Sequence, residues 1–186
     1  MEIIETKLPG VLLVKPEYFG DARGYFMESW NHKKYSEHGL NAEFVQDNLS
    51  FSNHGILRGL HFQNPDQQGK LVQVLSGEVF DVAVDIRRGS PNFGNWIGMN
   101  LSGESRHQLY VPPGFAHGFC VLSTSALFHY KCTQYYSPHC EYTIVWNDPD
   151  IAIDWPIKNP IVSSKDMVER RLKDFSNEKL PAFGQP

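Results

Sequence analysis

The chain lacks long apolar runs and an excess of basic residues. No stretch approaches the roughly 18 consecutive apolar residues of a membrane-spanning helix, so we expect no transmembrane segment. Its 17 Lys and Arg are outnumbered by 21 Asp and Glu, for a formal net charge of −4. That balance argues against a nucleic-acid surface, which needs clustered positive charge. Residues 1–5 are short and acidic, unlike the start of a secretory signal peptide.

Cysteine is also scarce. The three cysteines, Cys120, Cys132 and Cys140, are odd in number and do not have the spacing of a metal site. We expect reduced thiols in a cytoplasmic protein, with Cys120 and Cys132 in the core. No glycine-rich dinucleotide-binding fingerprint is present, so a nicotinamide cofactor is not expected either.

The 186 residues have the length of one domain, so we expect a single domain spanning 1–186. Helical patterns are sparse along it. Residues 31–39 predict a short helix that ends near Gly39. Residues 165–175 predict a C-terminal helix, with Ser163 and Ser164 as its caps. The last residues, 180–186, are expected to form a loose tail.

Short β-rich runs separated by turn residues dominate the rest of the chain. Examples are residues 10–14, 70–75, 79–86 and 142–146. Within 79–86 the alternation places Asp81 and Asp85 on the same face as apolar neighbours, which suggests a barrel with a wet mouth. Many short strands with few helices predict an all-β sandwich or jelly roll.

Two segments have the residues for chemistry, 55–63 and 111–119. The second contains Pro-x-Gly-x-x-His ending at His117, which resembles the second motif of cupins. In metal-binding cupins the first motif supplies a His-x-His pair, but here the pair is His61-x-Gln63. An amide is a poor transition-metal ligand beside imidazole, so we expect no metal and histidines that are free for acid–base chemistry.

Further motifs follow one another in order. They include Asp21-x-Arg23-Gly24, Gln46-Asp47-Asn48, Leu57-Arg58-Gly59-Leu60-His61, Gly69-Lys70, Gly114-x-x-His117, Tyr130-Lys131, Tyr136-Ser137-Pro138 and Ser164-Lys165-Asp166. This series resembles the dTDP-4-dehydrorhamnose 3,5-epimerase family over about residues 5–170. The resemblance implies a cupin-like jelly-roll barrel, a dTDP-sugar substrate, no cofactor and a homodimer.

The resemblance also implies a reaction. A member of this family inverts C3 and C5 of dTDP-4-dehydro-6-deoxy-D-glucose through an enolate, giving dTDP-4-dehydro-β-L-rhamnose. His61 would be the base, Asp166 would orient it, and Tyr130 would be the acid on the opposite face. Imidazole suits the base because its ordinary pKa is close to neutral.

The remaining residues implied by the resemblance bind the substrate. Lys70 and His117 are expected near the sugar, with Lys70 facing O4. Arg23, Arg58 and Lys165 would hold the diphosphate, and Tyr136 would stack on the pyrimidine. Other ligand contacts are expected from Glu28, Gln46, Asp47, Asn48 and Glu141. In the family the N-terminal strands are exchanged in the dimer, which would bring Arg23 and Glu28 into the neighbour's site.

Seven of these residues also have an ordinary structural explanation. The alternatives are a core or rim histidine (His61), a helix N-terminal charge (Asp166), a strand tyrosine (Tyr130), a solvated lysine (Lys70), a turn cap (Arg23), a barrel-edge aromatic (Tyr136) and a solvated strand-edge glutamate (Glu141). Three other functions share the scaffold: a mono-epimerase acting at C3 or C5 only, a 3,4-ketoisomerase, and a module that binds nucleotide sugars without turnover.

Overall fold

The computed structural model describes residues 1–184, in which thirteen strands are joined by mostly short connections. The strands are β1 (Glu2–Glu5), β2 (Leu12–Lys15), β3 (Tyr18–Asp21), β4 (Gly24–Met27), β5 (Gln46–Asn53), β6 (Leu57–Gln63), β7 (Lys70–Ser76), β8 (Glu78–Asp85), β9 (Trp96–Ser102), β10 (Gln108–Val111), β11 (Phe115–Val121), β12 (Ser125–Cys132) and β13 (Glu141–Thr143). One helix, α1 (His32–Glu37), and one 3₁₀ turn (Leu172–Asp174) complete the regular structure. The prediction that residues 1–186 form a single domain stays a prediction, because residues 185 and 186 lie outside the described part.

The strands form two large sheets and a separate hairpin. The six-stranded sheet has the order β1-β2-β10-β7-β12-β5, and the five-stranded sheet has the order β13-β6-β11-β8-β9. Neighbouring strands within each sheet are antiparallel, and β3 pairs only with β4. The predicted all-β, jelly-roll class is confirmed. Antiparallel sheets that face one another enclose the core between their inner faces.

Side-chain alternation along β8 explains how the five-stranded sheet is buried on both faces. Val79 and Ala83 point into the barrel, where they pack against residues of both sheets. Val82 and Val84 point outward into a second apolar layer that the C-terminal segment provides, including Trp155. Both faces of the strand are therefore removed from water, as its near-continuous apolar sequence requires.

The two aspartates of β8 are also fully buried, and each has a partner. Asp85 accepts hydrogen bonds from Arg87 Nη2 and from Ser90 Oγ, both at 2.7 Å. Asp81 lies deeper in the barrel beside His117. Because buried charges are stable only when they are paired, these contacts account for carboxylates on an inward-facing strand.

Helix α1 forms where the sequence predicts it. The Asn31 side chain accepts a hydrogen bond from Lys34 N and caps the first turn. The chain leaves the helix through Gly39, whose φ of +95° is readily adopted only by glycine. Tyr35 is buried and packs the helix against the outer face of the six-stranded sheet.

Two expectations for the C-terminal region are wrong. Residues 165–175 form no α-helix, and only Leu172–Asp174 makes a 3₁₀ turn. The Ser163 carbonyl instead accepts from both Asp166 N and Met167 N, and Val145 N donates to Arg170 O, which draws the following segment along the barrel. Tertiary contacts thus override the helical spacing.

The expected loose tail is ordered over most of its length. Leu180 is buried, Arg88 N donates to Pro181 O at 2.8 Å, and Phe183 N donates to Arg88 O at 3.0 Å. Gln185 and Pro186 lie outside the described residues. Cys120 and Cys132 are buried free thiols, as expected, and Cys140 is free and partly exposed. In residues 1–184 no helix has the length and apolar character needed to cross a membrane.

Candidate active site

A cavity of about 380 Å³ opens between the two sheets. Eleven of the fourteen side chains that the sequence predicts for the site line it: Gln46, Asn48, Arg58, His61, Lys70, His117, Tyr130, Tyr136, Glu141, Lys165 and Asp166. They come from both sheets and from the loops at one end of the barrel. A concave, mixed polar and aromatic pocket of this size suits a small-molecule ligand.

His61, on β6 of the five-stranded sheet, is paired with Asp166. Asp166 Oδ1 lies 2.5 Å from His61 Nε2, and Ser163 Oγ donates to Asp166 Oδ2 at 2.9 Å. Burial opposes ionisation of the Asp166 carboxyl, but the hydrogen bonds from His61 and Ser163 and the charge of Lys165 outweigh it and hold its pKa below the ordinary value. The carboxylate fixes the imidazole and leaves Nδ1 as the nitrogen that can accept a proton.

His117 lies beside His61 on the neighbouring strand β11, where the two residues are direct cross-strand partners. Its Nε2 is 3.0 Å from both carboxylate oxygens of the buried Asp81. The two strands approach closely at Gly59 and Gly118, since a Cβ added at Gly59 would lie 2.6 Å from Gly118 Cα. Glycine at this crossing lets the barrel present two imidazoles, each with its own carboxylate, on one wall.

Lys70 and Tyr130 occupy the opposite wall, on β7 and β12 of the six-stranded sheet. The Lys70 Nζ is 6.0 Å from the centre of the Tyr130 ring. Burial lowers the pKa of the Lys70 ammonium, although the nearby Cys132, Glu141 and Asp81 oppose the shift. Burial likewise raises the pKa of the Tyr130 phenol to about 12. A phenol that stays protonated and a partly buried lysine therefore face the two imidazoles.

The cavity mouth combines cations with one carboxylate. Glu141 Oε2 accepts from Lys165 Nζ at 2.6 Å and from Tyr136 Oη at 2.7 Å. Burial opposes ionisation of Glu141, but these two hydrogen bonds hold its pKa below the ordinary value. Arg58 is exposed at the same mouth, with its Nε donating to Ser52 Oγ at 3.0 Å. Exposed cations beside a cavity are suited to an anionic ligand group.

Strand β5 contributes alternate residues to the cavity. Gln46 and Asn48 line it, and Gln46 Nε2 donates to Asn48 Oδ1 at 3.0 Å. Asp47, between them, points to the outer face of the sheet and accepts from Lys131 Nζ at 2.8 Å. The structure does not bring the Asp47 side chain to the cavity, because successive residues of a strand face opposite sides.

Arg23 and Glu28 also lie away from the cavity of their own chain. The Arg23 side chain is 90% exposed at the tip of the β3–β4 hairpin, where it pairs with Asp21. Glu28 follows the hairpin and binds Lys34 Nζ at 2.9 Å. The turn-cap contact between Arg23 and Asp21 is therefore present.

Five further residues, which are not among the fourteen predicted for the site, also line the cavity: Ser50, Gln68, Phe119, Phe128 and Ser163. Alternation identifies three of them, because Ser50 is two residues beyond Asn48, Phe119 two beyond His117, and Phe128 two before Tyr130. Gln68 and Ser163 are in irregular segments, where no periodic signal exists.

Gln63, which occupies the position of the second histidine in metal-binding cupins, does not line the cavity. Its side chain is 4% exposed and turns toward the loop between β12 and β13. Within residues 1–184 no group of three or more His, Cys, Asp or Glu side chains is arranged to hold a metal ion.

Comparison with known proteins agrees with this geometry. The family model described as dTDP-4-dehydrorhamnose 3,5-epimerase matches residues 5–174. A protein of that name from Shigella flexneri is 54% identical over 176 residues, covering 94% of this chain and 97% of the relative. One from Methanothermobacter thermautotrophicus is 49% identical over 174 residues, covering 92% and 94%.

Solved structures show the same relationship. The dTDP-6-deoxy-D-glucose-3,5-epimerase of Legionella pneumophila, in complex with dTDP-4-keto-L-rhamnose, is 50% identical with a TM-score of 0.95 and covers 99% of each chain. A 3′-monoepimerase of Streptomyces bikiniensis, in complex with dTDP-quinovose, is 28% identical with a TM-score of 0.90, covering 98% of this chain and 93% of the other. Fold, cavity and likeness along nearly the whole chain agree, and the chain belongs to the dTDP-4-dehydrorhamnose 3,5-epimerase family.

Proposed function

We propose that the chain inverts C3 and C5 of dTDP-4-dehydro-6-deoxy-D-glucose to give dTDP-4-dehydro-β-L-rhamnose. The names of its relatives and the ligand of the Legionella structure support this substrate class. One observation carries the mechanism: His61 and Tyr130 enter the same cavity from the two facing sheets. A sugar ring held between them meets an imidazole on one face and a phenol on the other.

Proton removal falls to His61. The hydrogens on C3 and C5 are acidic because the C4 ketone accepts the electrons of the broken C–H bond as an enolate. The proton passes to Nδ1 of His61, since Nε2 is held by Asp166. The buried carboxylate then stabilises the imidazolium that forms, as in hydrolase triads.

Stabilisation of the enolate and return of a proton fall to the opposite wall. Lys70 directs its ammonium at the developing charge on O4, where the partly dry cavity strengthens the attraction. Tyr130 returns a proton to carbon from the face opposite His61, which inverts the centre. With a pKa of about 12 the phenol is protonated at neutral pH. His61 then loses its proton to solvent and the phenolate regains one, and the cycle repeats at the second carbon.

The nucleotide part of the substrate is assigned to the cavity mouth. Arg58 and Lys165 are the cations placed to bind the diphosphate. The exposed ring of Tyr136 offers a flat surface for the pyrimidine. Gln46, Asn48 and Glu141 supply donors and acceptors for the base and its sugar.

A second copy of the chain completes the site in this proposal. The β3–β4 hairpin lies outside both large sheets and exposes Tyr18 (49%), Phe19 (64%), Tyr25 (53%) and Phe26 (71%). Leu49 and Phe51 are also more than half exposed, on the outer face of β5. Apolar area of this extent marks an interaction surface. The hairpin would place Arg23, whose side chain is 90% exposed, and Glu28 at the mouth of the partner's cavity.

Mixing two inactive variants tests this exchange. In a heterodimer of Arg23→Ala and His61→Asn chains, one site combines the intact barrel of the first chain with the intact hairpin of the second. Activity that appears on mixing supports the exchange. If the mixture stays as inactive as its components, or if active protein sediments as a monomer, the exchange is refuted.

Incubation with the substrate in heavy water, after exhaustive chelation, tests the reaction itself. We expect deuterium at both C3 and C5 and undiminished turnover without added metal. Deuterium at a single carbon would indicate a mono-epimerase, as in the 28% identical Streptomyces protein. Transfer of the carbonyl would indicate a ketoisomerase, and binding without exchange a module that lacks turnover.

A cytoplasmic location is part of the proposal, supported by the three free thiols.

A further inference from the structure

The loop between β12 and β13, residues 133–140, has the backbone of its middle part, 134–137, held by side chains from elsewhere in the barrel. Gln63 holds its centre: Nε2 donates to Tyr135 O at 3.3 Å, and Oε1 accepts from Ser137 N at 2.9 Å. The same Nε2 donates to Asp66 O at 2.8 Å, which ties the loop to the turn after β6. One amide therefore brackets Tyr136 on both sides along the chain.

These contacts explain why an amide occupies position 63. The site asks one side chain to donate to two carbonyl groups and to accept from one N–H group, and only a neutral amide does both. Gln63 is 4% exposed, so water does not readily replace a lost partner. An ionised carboxylate there would place a negative charge against two carbonyl oxygens.

Tyr136 itself depends on this backbone for its position. The residue is 48% exposed, its hydroxyl donates to Glu141 Oε2, and its N–H donates to Gln46 Oε1. Lys165 Nζ lies 5.8 Å from the centre of its ring. Because the ring has little packing of its own, its position depends strongly on the position of the Tyr136 Cα. The direction of the ring is set by the main chain, which Gln46 holds at Tyr136 itself and Gln63 holds on either side of it.

We propose that Gln63 is a positioning residue, which fixes residues 135–137 so that the Tyr136 ring is ready at the cavity mouth to stack on the pyrimidine of the nucleotide. The inference rests on the proposed function, which assigns the base to Tyr136. It predicts an effect on nucleotide binding and not on proton transfer, because Gln63 has no contact with His61 or Tyr130. Affinity gained by such preorganisation is equal in the ground and transition states.

Steady-state kinetics and dTDP binding test the proposal in Gln63→Glu and in Gln63→Met, which keeps the volume but removes both hydrogen-bonding ends. We expect KM and the Kd of dTDP to rise about tenfold. In the variants the binding of dTDP would have to order about one more backbone residue, and the entropy lost by this ordering weakens binding by roughly that factor. We expect kcat to stay within about twofold, as for loss of uniform binding. The matched control is Gln67→Glu, since the half-buried Gln67 makes only a 3.5 Å contact with Asn64 Oδ1.

Two arms separate the possible failures. If Tyr136→Ala binds dTDP as tightly as the wild type, the base is not on Tyr136 and that part of the proposed function fails. If Tyr136→Ala binds dTDP weakly while both Gln63 variants bind it as tightly as the wild type, the positioning role of Gln63 is refuted and the assignment of Tyr136 stands. A fall in kcat with unchanged KM would also overturn it.

Hydrogen exchange in the wild-type protein keeps the test open if the Gln63 variants do not fold. The proposal requires the Ser137 amide, which donates to Gln63, to be protected before any nucleotide binds. Exchange of this amide at the rate of an open loop in the free protein, with protection only after dTDP is added, would show that the ligand orders the loop and would refute the inference.

Discussion

Replacing Lys70 by methionine should lower activity without lowering stability. Methionine keeps most of the length and apolar stem of lysine but removes the ammonium that the proposed mechanism directs at O4. A unit charge about 4 Å from an enolate oxygen, at an effective dielectric constant of about 20, contributes roughly 4 kcal/mol. Water that enters the variant's cavity recovers part of this, so we expect kcat to fall by about 10² to 10³.

The effect on stability has the opposite direction. Burial lowers the pKa of Lys70 from its ordinary value of 10.5, so the folded protein binds this proton less tightly than the unfolded chain does. Each unit of lowering costs about 1.4 kcal/mol of stability when the amine is charged in both states. The cost is complete below the folded-state pKa and disappears as pH rises through 10.5. The methionine variant lacks it, so its advantage is largest near neutral pH and shrinks in strong alkali.

Two measurements check this pair of expectations. Deuterium incorporation at C3 and C5 of saturating substrate in heavy water reports activity, and thermal unfolding at pH 7 and near pH 10.5 reports stability. The control is Lys158→Met, because the Lys158 side chain is 78% exposed and pairs only with Asp154 on the surface. Turnover within tenfold of wild type, or a melting temperature several degrees lower at pH 7, would refute the reasoning.

The other predictions concern the facing walls and the strand crossing. His61→Asn should abolish exchange at both carbons while leaving dTDP affinity within about tenfold, since it removes the base and not the mouth; measurable turnover would end the assignment. Tyr130→Phe should reduce product formation more than deuterium exchange, because His61 still removes and returns protons on its own face; equal losses would give Tyr130 another role. Ser163→Ala should lower kcat about tenfold by loosening the carboxylate that holds the base, and Ser163→Thr should restore it in the same assay. Gly118→Ala should destabilise the fold by about 1–3 kcal/mol, because the added Cβ would lie 2.8 Å from Arg58 O; unchanged denaturant unfolding would contradict the close crossing.

Much of the fold follows from local chemistry. Asn31 and Gly39 bound helix α1 because one caps its first turn and the other leaves its last with a positive φ. The β-rich runs at 70–75 and 79–86 become strands because apolar residues at alternate positions have a core to face, whereas the run at 10–14 is a strand only from Leu12 and the run at 142–146 only to Thr143. Residues 165–175 behave differently. Their spacing suits a helix, yet Asp166 is drawn inward to His61 and the turn at Ser163 forms instead.

The site is predictable to a different degree. No periodicity marks Tyr130, which resembles any strand tyrosine, and only likeness to a family singles it out. The motif around Asp47 predicts a ligand contact, but alternation along β5 turns this side chain outward to Lys131. The sequence predicts that Ser163 caps a helix, whereas its partner is the Asp166 carboxylate. Long-range pairing decides each of these outcomes, and a short stretch of sequence does not contain it.

The pairing of β6 with β11 limits how this scaffold can change. His61 and His117 are opposite one another across that pair, and their neighbours Leu60, Phe62 and Ala116 point into a dry apolar layer. The pair contains a register shift between His117 and Phe119, so an extra residue is accommodated there. Deleting or duplicating a residue next to either histidine would instead turn that imidazole toward the dry layer and leave its carboxylate without a partner. Redesign for other sugars is therefore easier by substitution than by a change of strand length beside the two histidines.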